Sequence, residues 1–473
     1  MASQIFLQRY NTAMTLLDDT ELAAAVFMKA RLSRDHRFDG LFFTAVKTTG
    51  IYCRSICPAR APKESNVDYY RHAHLAQKAG FRPCLRCRPD SAPGSPAWQG
   101  IDTTVIRAKL LIDEGALEQG SVMQLASRLG VSDRYLRQLF ERLLGVSPKS
   151  YALFQQCQFA KRLLHQTKMP ITSIALAAGF NSVRRFNDCF KQQLGVTPSQ
   201  LRKSDKSIAT GLVLKLHYRP PYDWKAMSRF LQTRYIEGLE RVDEHSYGRS
   251  FELAGASGNF TAVNVADKCR FDVIIEIDDV TKLKPVVNNI RRLLDLDTDI
   301  RSVEECLQSN WPKTMTFNQG LRLPGTWTVF EAGIRGILGQ QVSIVAARKL
   351  VTLLVSTLGR KSSDGYYFPS AEQVATADLA FLKMPNKRRV TLRDFAQFYL
   401  TSPSADPSSW LVIKGIGPWT IDYAKMRGLS DPDIYLGGDL GVQKAIGKTD
   451  SNFMPENSAP FRSYLTFQLW SQL

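Results

Sequence analysis

Gly50-Ile51-Tyr52-Cys53-Arg54-Ser55-Ile56-Cys57-Pro58-Ala59-Arg60, followed by Gly80-Phe81-Arg82-Pro83-Cys84-Leu85-Arg86-Cys87, holds two cysteine pairs, one spaced C-x3-C and the other C-x2-C. Each spacing lets two thiolates converge on one ion from a single turn, and two such pairs complete a closed tetrahedral zinc site. Cys53, Cys57, Cys84 and Cys87 are therefore the expected ligands of one Zn2+. Arg54, Arg60, Lys63, Arg71, Arg82, Arg86 and Arg88 surround them. A cationic shell suits a target that carries phosphates. The spacing alone leaves two readings open: a site that only holds a small fold together, or one whose excess negative charge makes a thiolate a better nucleophile.

Outward from this stretch, the chain of 473 residues is too long for one core, and three or four domains are expected. Lys and Arg number 62 against 44 Asp and Glu, a net charge of +18, which fits several DNA-contacting modules. Cys157, Cys189, Cys269 and Cys306 are scattered among apolar neighbours and read as free core thiols, not as a secreted disulfide framework. Residues 1–21 contain no continuous apolar h-region, and no apolar run reaches membrane-spanning length. The expectation is a cytoplasmic, nucleoid-associated chain in a reducing compartment, with no membrane association. Asp90-Ser91-Ala92-Pro93-Gly94-Ser95-Pro96 reads as a linker and Lys203-Ser204-Asp205-Lys206-Ser207 as a polar joint. Near residues 295–299 alternating strand patterns give way to helical ones.

One pattern repeats. Val122, Leu125, Ala126 and Leu129 form a helical stripe, Gly130 supplies a left-handed turn, Ser132 caps, and Leu136, Leu139, Phe140 and Leu143 form a second stripe. The unit returns with Ile171–Ala178, Gly179 and Ser182, after a long apolar helix over 151–166. An ordinary helical bundle shows such stripes too. Two helix–Gly–helix copies with arginine-rich second helices point instead to DNA reading heads. Arg134 and Arg137 in the first copy, and Arg184 and Arg185 in the second, are the expected DNA contacts.

Residues 208–290 alternate like an antiparallel sheet with helices, with strands near 211–217, 250–253, 259–265 and 271–277 and a helix near 222–237. Further on, Trp410-Leu411-Val412-Ile413-Lys414-Gly415-Ile416-Gly417-Pro418-Trp419 reads as helix, Gly-Ile-Gly turn, helix. Gly415 and Gly417 allow a tight turn whose backbone N–H groups hold a DNA phosphate without reading bases. Asp439 follows Trp419 by 20 residues, in Tyr435-Leu436-Gly437-Gly438-Asp439-Leu440.

These motifs carry resemblances. Thr48-Thr49-Gly50-Ile51-Tyr52-Cys53-Arg54, Cys57-Pro58-Ala59-Arg60 and Gly80-Phe81-Arg82-Pro83-Cys84-x-Arg86-Cys87 resemble the Ada-type N-terminal domain over about residues 20–92. The resemblance implies that Cys53 accepts a methyl group, once only, from a methylphosphotriester in DNA. Gly179-Phe180-Asn181-Ser182, with Phe186, Phe190 and Gly195-Val196-Thr197-Pro198, resembles the AraC-type regulators over about 101–203. The Pro-Cys-His-Arg site of Ada methyltransferase domains is absent from the sequence, so repair of methylated guanine oxygen is not implied. Gly320-Leu321-Arg322-Leu323-Pro324-Gly325, Ile337-Leu338-Gly339-Gln340-Gln341-Val342-Ser343 and Phe461-Arg462-Ser463-Tyr464 resemble the AlkA-type 3-methyladenine DNA glycosylases from about 210 onward.

That last resemblance implies Asp439 as the catalytic carboxylate and Trp419, Tyr423 and Trp470 as a cleft for an extruded cationic base. Core packing is the plainer fate for the aromatics, and a helix N-cap for Asp439. Trp419 stands where glycosylases that also cut the strand carry a lysine, so base excision without lyase activity is implied. Gly438 replaces a second acidic residue of the family, and Gln341 stands where a family member wedges a leucine into the emptied stack.

The expected architecture is a multidomain α+β chain. A small zinc-binding α/β domain spans 1–95, and an all-α double helix-turn-helix domain spans 100–203. A domain of antiparallel sheet plus helices spans 208–295, and an all-α helix-hairpin-helix glycosylase domain spans 296–473. The expected function is an alkylation-damage sensor and transcription regulator fused to a glycosylase, acting on alkylated and operator DNA as a monomer and engaging RNA polymerase as an activator. A rival expectation is a regulator with a structural zinc site and an inert glycosylase-like half.

Overall fold

The computed structural model describes residues 20–34, 42–55, 57, 59–70, 76, 79–84, 101–118, 120–202, 212–447 and 453–472. Cys87, Arg71, Arg86 and Arg88, and the joints expected at 90–96 and 203–207, lie outside the described residues. The chain divides into two compact units, residues 1–112 with 119–150, and residues 113–118 with 151–473.

In the first unit, strands β1 (Phe43–Val46), β2 (Ile51–Arg54), β3 (Val67–Tyr70) and β4 (Arg82–Pro83) form a sheet in the order β3-β1-β2-β4. β1 and β2 make an antiparallel hairpin with Thr44 opposite Cys53. β4 adds in parallel, Ile51 opposite Arg82, and the Cys84 N–H donates to Tyr52 O at 3.0 Å. That parallel addition carries Cys84 to Cys53 and Cys57. The helix Thr20–Leu32 lies on the sheet through Phe27, which stacks on Phe42 at 4.3 Å. Its buried Arg31 pairs with Glu64, and Tyr69 OH donates to the same carboxylate at 2.7 Å. Burial and that hydrogen bond push the Tyr69 hydroxyl up to about 12.

The first helix pair, Val122–Arg128 and Asp133–Leu144, follows in the same unit. Ser121 and Gln124 form a capping box, Gly130 turns at φ +70°, and Ser132 Oγ accepts from the Tyr135 N–H. Leu125, Leu136, Leu139 and Phe140 are buried as the stripes require, whereas Leu143, the last member of the second stripe, is exposed.

The second unit contains the second pair, Ile171–Ala177 and Val183–Leu194, which follows the helix Pro148–Gln166. Gly179 sits at φ +81°, a left-handed conformation that favours glycine, with the Glu118 carboxyl group packed close against it. Ser182 Oγ accepts from Arg185 N. Beyond it lies a five-stranded antiparallel sheet, β5 (Val213–His217), β6 (Glu240–Val242), β7 (Ser246–Leu253), β8 (Ala256–Val265) and β9 (Arg270–Ile277), in the order β5-β9-β8-β7-β6. One apolar core runs from Leu163, Ile174 and Phe186 of the helix pair to Leu214, Phe260 and Phe271 of the sheet.

The rest is helical. Phe330 stacks on Phe395 at 5.5 Å and Phe395 meets Trp410 edge-on at 4.7 Å, joining the helices Val329–Gly339 and Asn386–Thr401 to the segment before the hairpin. That segment, Pro407–Val412, is a 3-10 helix, where the sequence suggested an ordinary helix; Asp406 caps it and Pro407 sits in its first turn. The C-terminal helix Arg462–Trp470 joins Met426 and Leu436 in a further core. A buried ionic cluster ties sheet to helices. Arg249 on β7 grips Glu331 at 2.9 and 3.2 Å, and Arg335 grips Glu240 at 2.9 Å through both oxygens. No helix among the described residues is long and apolar enough to cross a membrane.

Candidate functional site

On β2 the side chains of Tyr52 and Arg54 are buried, so strand alternation turns Cys53 to the opposite, half-buried face. The sulfurs of Cys53, Cys57 and Cys84 lie within 4.8 Å of one another, with Cys57 Sγ 4.0 Å from Cys84 Sγ. Tetrahedral zinc with Zn–S bonds of about 2.3 Å places its sulfurs about 3.8 Å apart. The three sulfurs therefore fit a zinc ion; the fourth expected ligand, Cys87, is outside the described residues. Among the described residues, the buried hydroxyls of Thr44, opposite Cys53 on β1, and of Ser55 have no hydrogen-bond partner. Such orphaned donors suit a neighbouring thiolate, which is a weak acceptor.

Arg134, Arg137, Arg184 and Arg185 are all exposed on the second helices of their pairs. Arg137 is 3.8 Å from Asp133, one turn away, a surface pair too weak to immobilise it.

At the hairpin, Gly415 has φ +95°, and a Cβ there would sit 2.3 Å from Thr391 Oγ1. Thr391 Oγ1 instead donates to Lys414 O at 2.8 Å. Gln340 Nε2 donates to Gly415 O and to Thr420 Oγ1, both at 3.0 Å, fixing the turn from a third direction. Gly417 differs: φ is −115° and a Cβ would meet nothing within 4 Å. Its lack of a side chain leaves the N-terminus of the helix Pro418–Gly428 open to approach. Gln341 is exposed at φ +56°, beside exposed Val342, Ile344 and Val345.

Trp419 stacks on Tyr423 at 5.3 Å with 17° between the rings, as residues one turn apart on a helix can. Trp470, from the last helix, stacks on Phe230 at 6.2 Å and donates its indole N–H to Asp439 Oδ1 at 2.8 Å. The same oxygen accepts from Gly441 N at 2.9 Å and Val442 N at 3.1 Å, capping the helix Leu440–Ile446. The helix-cap role weighed for Asp439 is thus the one the structure shows. Oδ1 is fully engaged by three N–H groups, and Oδ2 accepts no hydrogen bond among the described residues. An anchored, half-buried carboxylate with one oxygen left over is suited to face a developing cation or a water molecule.

The sequence reading missed three residues here. Phe230 and Arg234 come from the helix Trp224–Arg234, and Arg427 from the last turn of the hairpin helix. The Arg234 guanidinium lies 3.9 Å over the Phe230 ring, and that of Arg427 lies 4.8 Å over Phe230 and 5.7 Å from Tyr423. Burial brings Arg234 down to about 10 and lowers Arg427 as well. The only sequence signal is an aromatic and a basic residue four apart on one helix, a pattern common on any solvated face.

Residues 27–90 match the family described as the metal binding domain of Ada, residues 125–204 a helix-turn-helix domain, and residues 213–328 the AlkA N-terminal domain. The chain is 35% identical over 480 residues to the probable bifunctional transcriptional activator/DNA repair enzyme AlkA of Mycobacterium tuberculosis H37Rv, covering 94% of this chain and 95% of that one. The DNA-3-methyladenine glycosylase 2 of Escherichia coli K12 is 32% identical over 277 residues, 54% of this chain and 95% of its own. The bifunctional transcriptional activator/DNA repair enzyme AdaA of Bacillus subtilis is 30% identical over 191 residues, 40% of this chain and 87% of its own. With its zinc-fitting cysteines, paired helix-turn-helix units and glycosylase-type half in one chain, the protein belongs to the family of bifunctional transcriptional activator/DNA repair enzymes that fuse an Ada-type domain to an AlkA-type one.

Proposed function

We propose that the chain senses and repairs alkylated DNA. Asp439 is the catalytic carboxylate of a monofunctional glycosylase that releases N-alkylated purines of the 3-methyladenine type. Such a base carries positive charge, so its glycosidic bond is already weak and the leaving group needs no proton. The Asp439 carboxylate, held by Trp470 and the two amides, stabilises the cationic sugar as the base departs and orients the water that replaces it. Trp419, Tyr423 and Trp470 receive the extruded base. Gly415 and Gly417 hold the DNA backbone, and Gln341 enters the stack vacated by the base.

In the first unit, Cys53 Sγ accepts a methyl group from a methylphosphotriester. An S–C bond forms as the triester O–C bond breaks, and the phosphate leaves as a diester anion. Zinc, held by Cys53, Cys57, Cys84 and Cys87, keeps these thiols deprotonated when bound. Methylation removes one negative charge from the centre, lowers its repulsion of DNA and raises operator affinity through Arg134, Arg137, Arg184 and Arg185. The methylated monomer then engages RNA polymerase.

The observation that carries the repair reading is the Trp470–Asp439 hydrogen bond, 2.8 Å long, at an apolar cluster that also holds Trp419 and Tyr423. The test is release of 3-methyladenine from methylated duplex by the full chain. Asp439→Asn is expected to lower the rate by about 100-fold or more, the scale of losing a preorganised electrostatic group, with folding and DNA binding retained. Equal release by wild type and variant contradicts the assignment. Release by neither leaves the rival reading, a regulator with an inert C-terminal half. A borohydride-trapped adduct contradicts the monofunctional assignment.

A further inference from the structure

Resting on the glycosylase reading, we infer that Arg234 and Arg427 form a fixed positive wall against the Phe230 and Tyr423 rings, while Asp439 is held at Trp470, so that the site drives charge from base to sugar. The two guanidiniums, with Phe230, Glu240, Thr326 and Arg335, line a small cavity that none of Trp419, Tyr423, Trp470 and Asp439 lines. Both lie over Phe230, which stacks on Trp470, and Arg427 reaches Tyr423 OH at 3.4 Å. Their other hydrogen bonds go to main-chain oxygens and to Thr233 Oγ1. No carboxylate among the described residues forms an ion pair with either. The nearby carboxylates, Glu240 and Glu331, are engaged by Arg249 and Arg335. Four guanidiniums thus face two buried carboxylates and the more distant Asp439, whose charge acts on Arg234, and a positive excess remains against the aromatic rings.

Such a wall is a poor receptor for a cation, yet the proposed substrate base is cationic. The sense of it lies in the reaction. When the C1′–N bond breaks, its electron pair goes to the base nitrogen and the base leaves neutral. The positive charge passes to C1′ and the ring oxygen of the sugar. Water then bonds to C1′ and gives up a proton to the Asp439 carboxylate or to solvent. The wall repels the base before the bond breaks and ceases to do so afterwards, while Asp439 gains attraction as the sugar becomes cationic. Both ends of the field favour the same movement of charge, a ground-state effect at one end and a transition-state effect at the other. Buried charges act here at low effective dielectric, where they are least screened.

The experiment uses the full chain and a duplex bearing a single 7-methylguanine, in single-turnover release measured against enzyme concentration. Arg234 is the residue to change, because Arg427 is almost fully buried and holds Pro324 and Gly325 carbonyls. Arg234→Gln is expected to lower the maximal rate about tenfold while half-saturation falls with it, the pattern of removed ground-state strain. Arg234→Lys, which keeps the charge, is expected to recover most of the rate. An unchanged maximal rate with Arg234→Gln overturns the inference. So does a half-saturation that rises with an unchanged rate, since that marks DNA binding, and so does failure of lysine to rescue, since that marks geometry. Release by wild type with loss in Asp439→Asn upholds the glycosylase reading independently. Absence of release by wild type overturns both.

Discussion

Among single residues, the two hairpin glycines look alike in the sequence and are held for different reasons. Gly415 is required by its own fold, through φ +95° and a Thr391 Oγ1 that would stand only 2.3 Å from any Cβ placed there. Gly415→Ala is expected to destabilise the chain by about 2 kcal/mol, the scale of overpacking added to left-handed strain, read as a fall in the denaturation midpoint. Gly417 has an ordinary φ of −115° and open space around it. Gly417→Ala is expected to leave that midpoint unchanged and to weaken duplex binding alone; a lowered midpoint contradicts its assignment to DNA approach. Cys53, Asp439 and the Gly-Ile-Gly turn were legible in the sequence because their signals are local: a spacing, a cap, a turn. Phe230, Arg234 and Arg427 were not, because their roles arise only when two helices about 190 residues apart in sequence pack side by side. In the sequence alone such arginines read as solvated surface.

Among the elements, turn and cap chemistry fixed the helix-turn-helix pairs. Gly130, Gly179, Ser132 and Ser182 all take the turn and cap roles that their positions implied. The strands of the second sheet were found within a few residues, since period-two alternation marks a half-buried face. β6 escaped notice: Glu240-Arg241-Val242 is three residues long, and its Glu240 is a buried ion rather than an apolar marker. That ion belongs to the cluster joining β6 and β7 to the helix Val329–Gly339. Burial alone would raise the Glu331 carboxyl, but Arg249 and Arg335 hold it down to about 2. A carboxyl depressed from 4.5 contributes stability that is complete above about pH 4.5 and is lost as pH falls towards about 2. Glu331→Gln leaves the buried Arg249 and Arg335 guanidiniums to share Glu240 alone and is expected to cost about 3 kcal/mol near neutrality. The gap between wild type and variant, followed by denaturant unfolding, is expected to narrow from pH 4.5 downward. A gap that stays constant across that range contradicts the ion-pair assignment.

Across the whole molecule, the Ada-type, helix-turn-helix and AlkA-type parts were legible in their motifs and match family models, and one relative matches along nearly the entire chain. The sequence did not foretell that the second helix-turn-helix pair shares an apolar core with the five-stranded sheet. Lys215 N donates to Gln166 Oε1 at 2.8 Å, and Lys284 meets Glu118 at 3.3 Å across the same region. Pairings of this kind depend on which surfaces meet, and no periodicity within either segment encodes them. On the proposed reading, one chain carries two separate chemistries for alkylated DNA, a thiolate that keeps a methyl group and a carboxylate that helps release a base. Mass spectrometry of a single reaction between the zinc-loaded full chain and a methylated duplex reads both at once. One added methyl group on the peptide containing Cys53, and free 3-methyladenine in the filtrate, are the expected products. An unmodified Cys53 peptide together with a filtrate free of released base would contradict the reading.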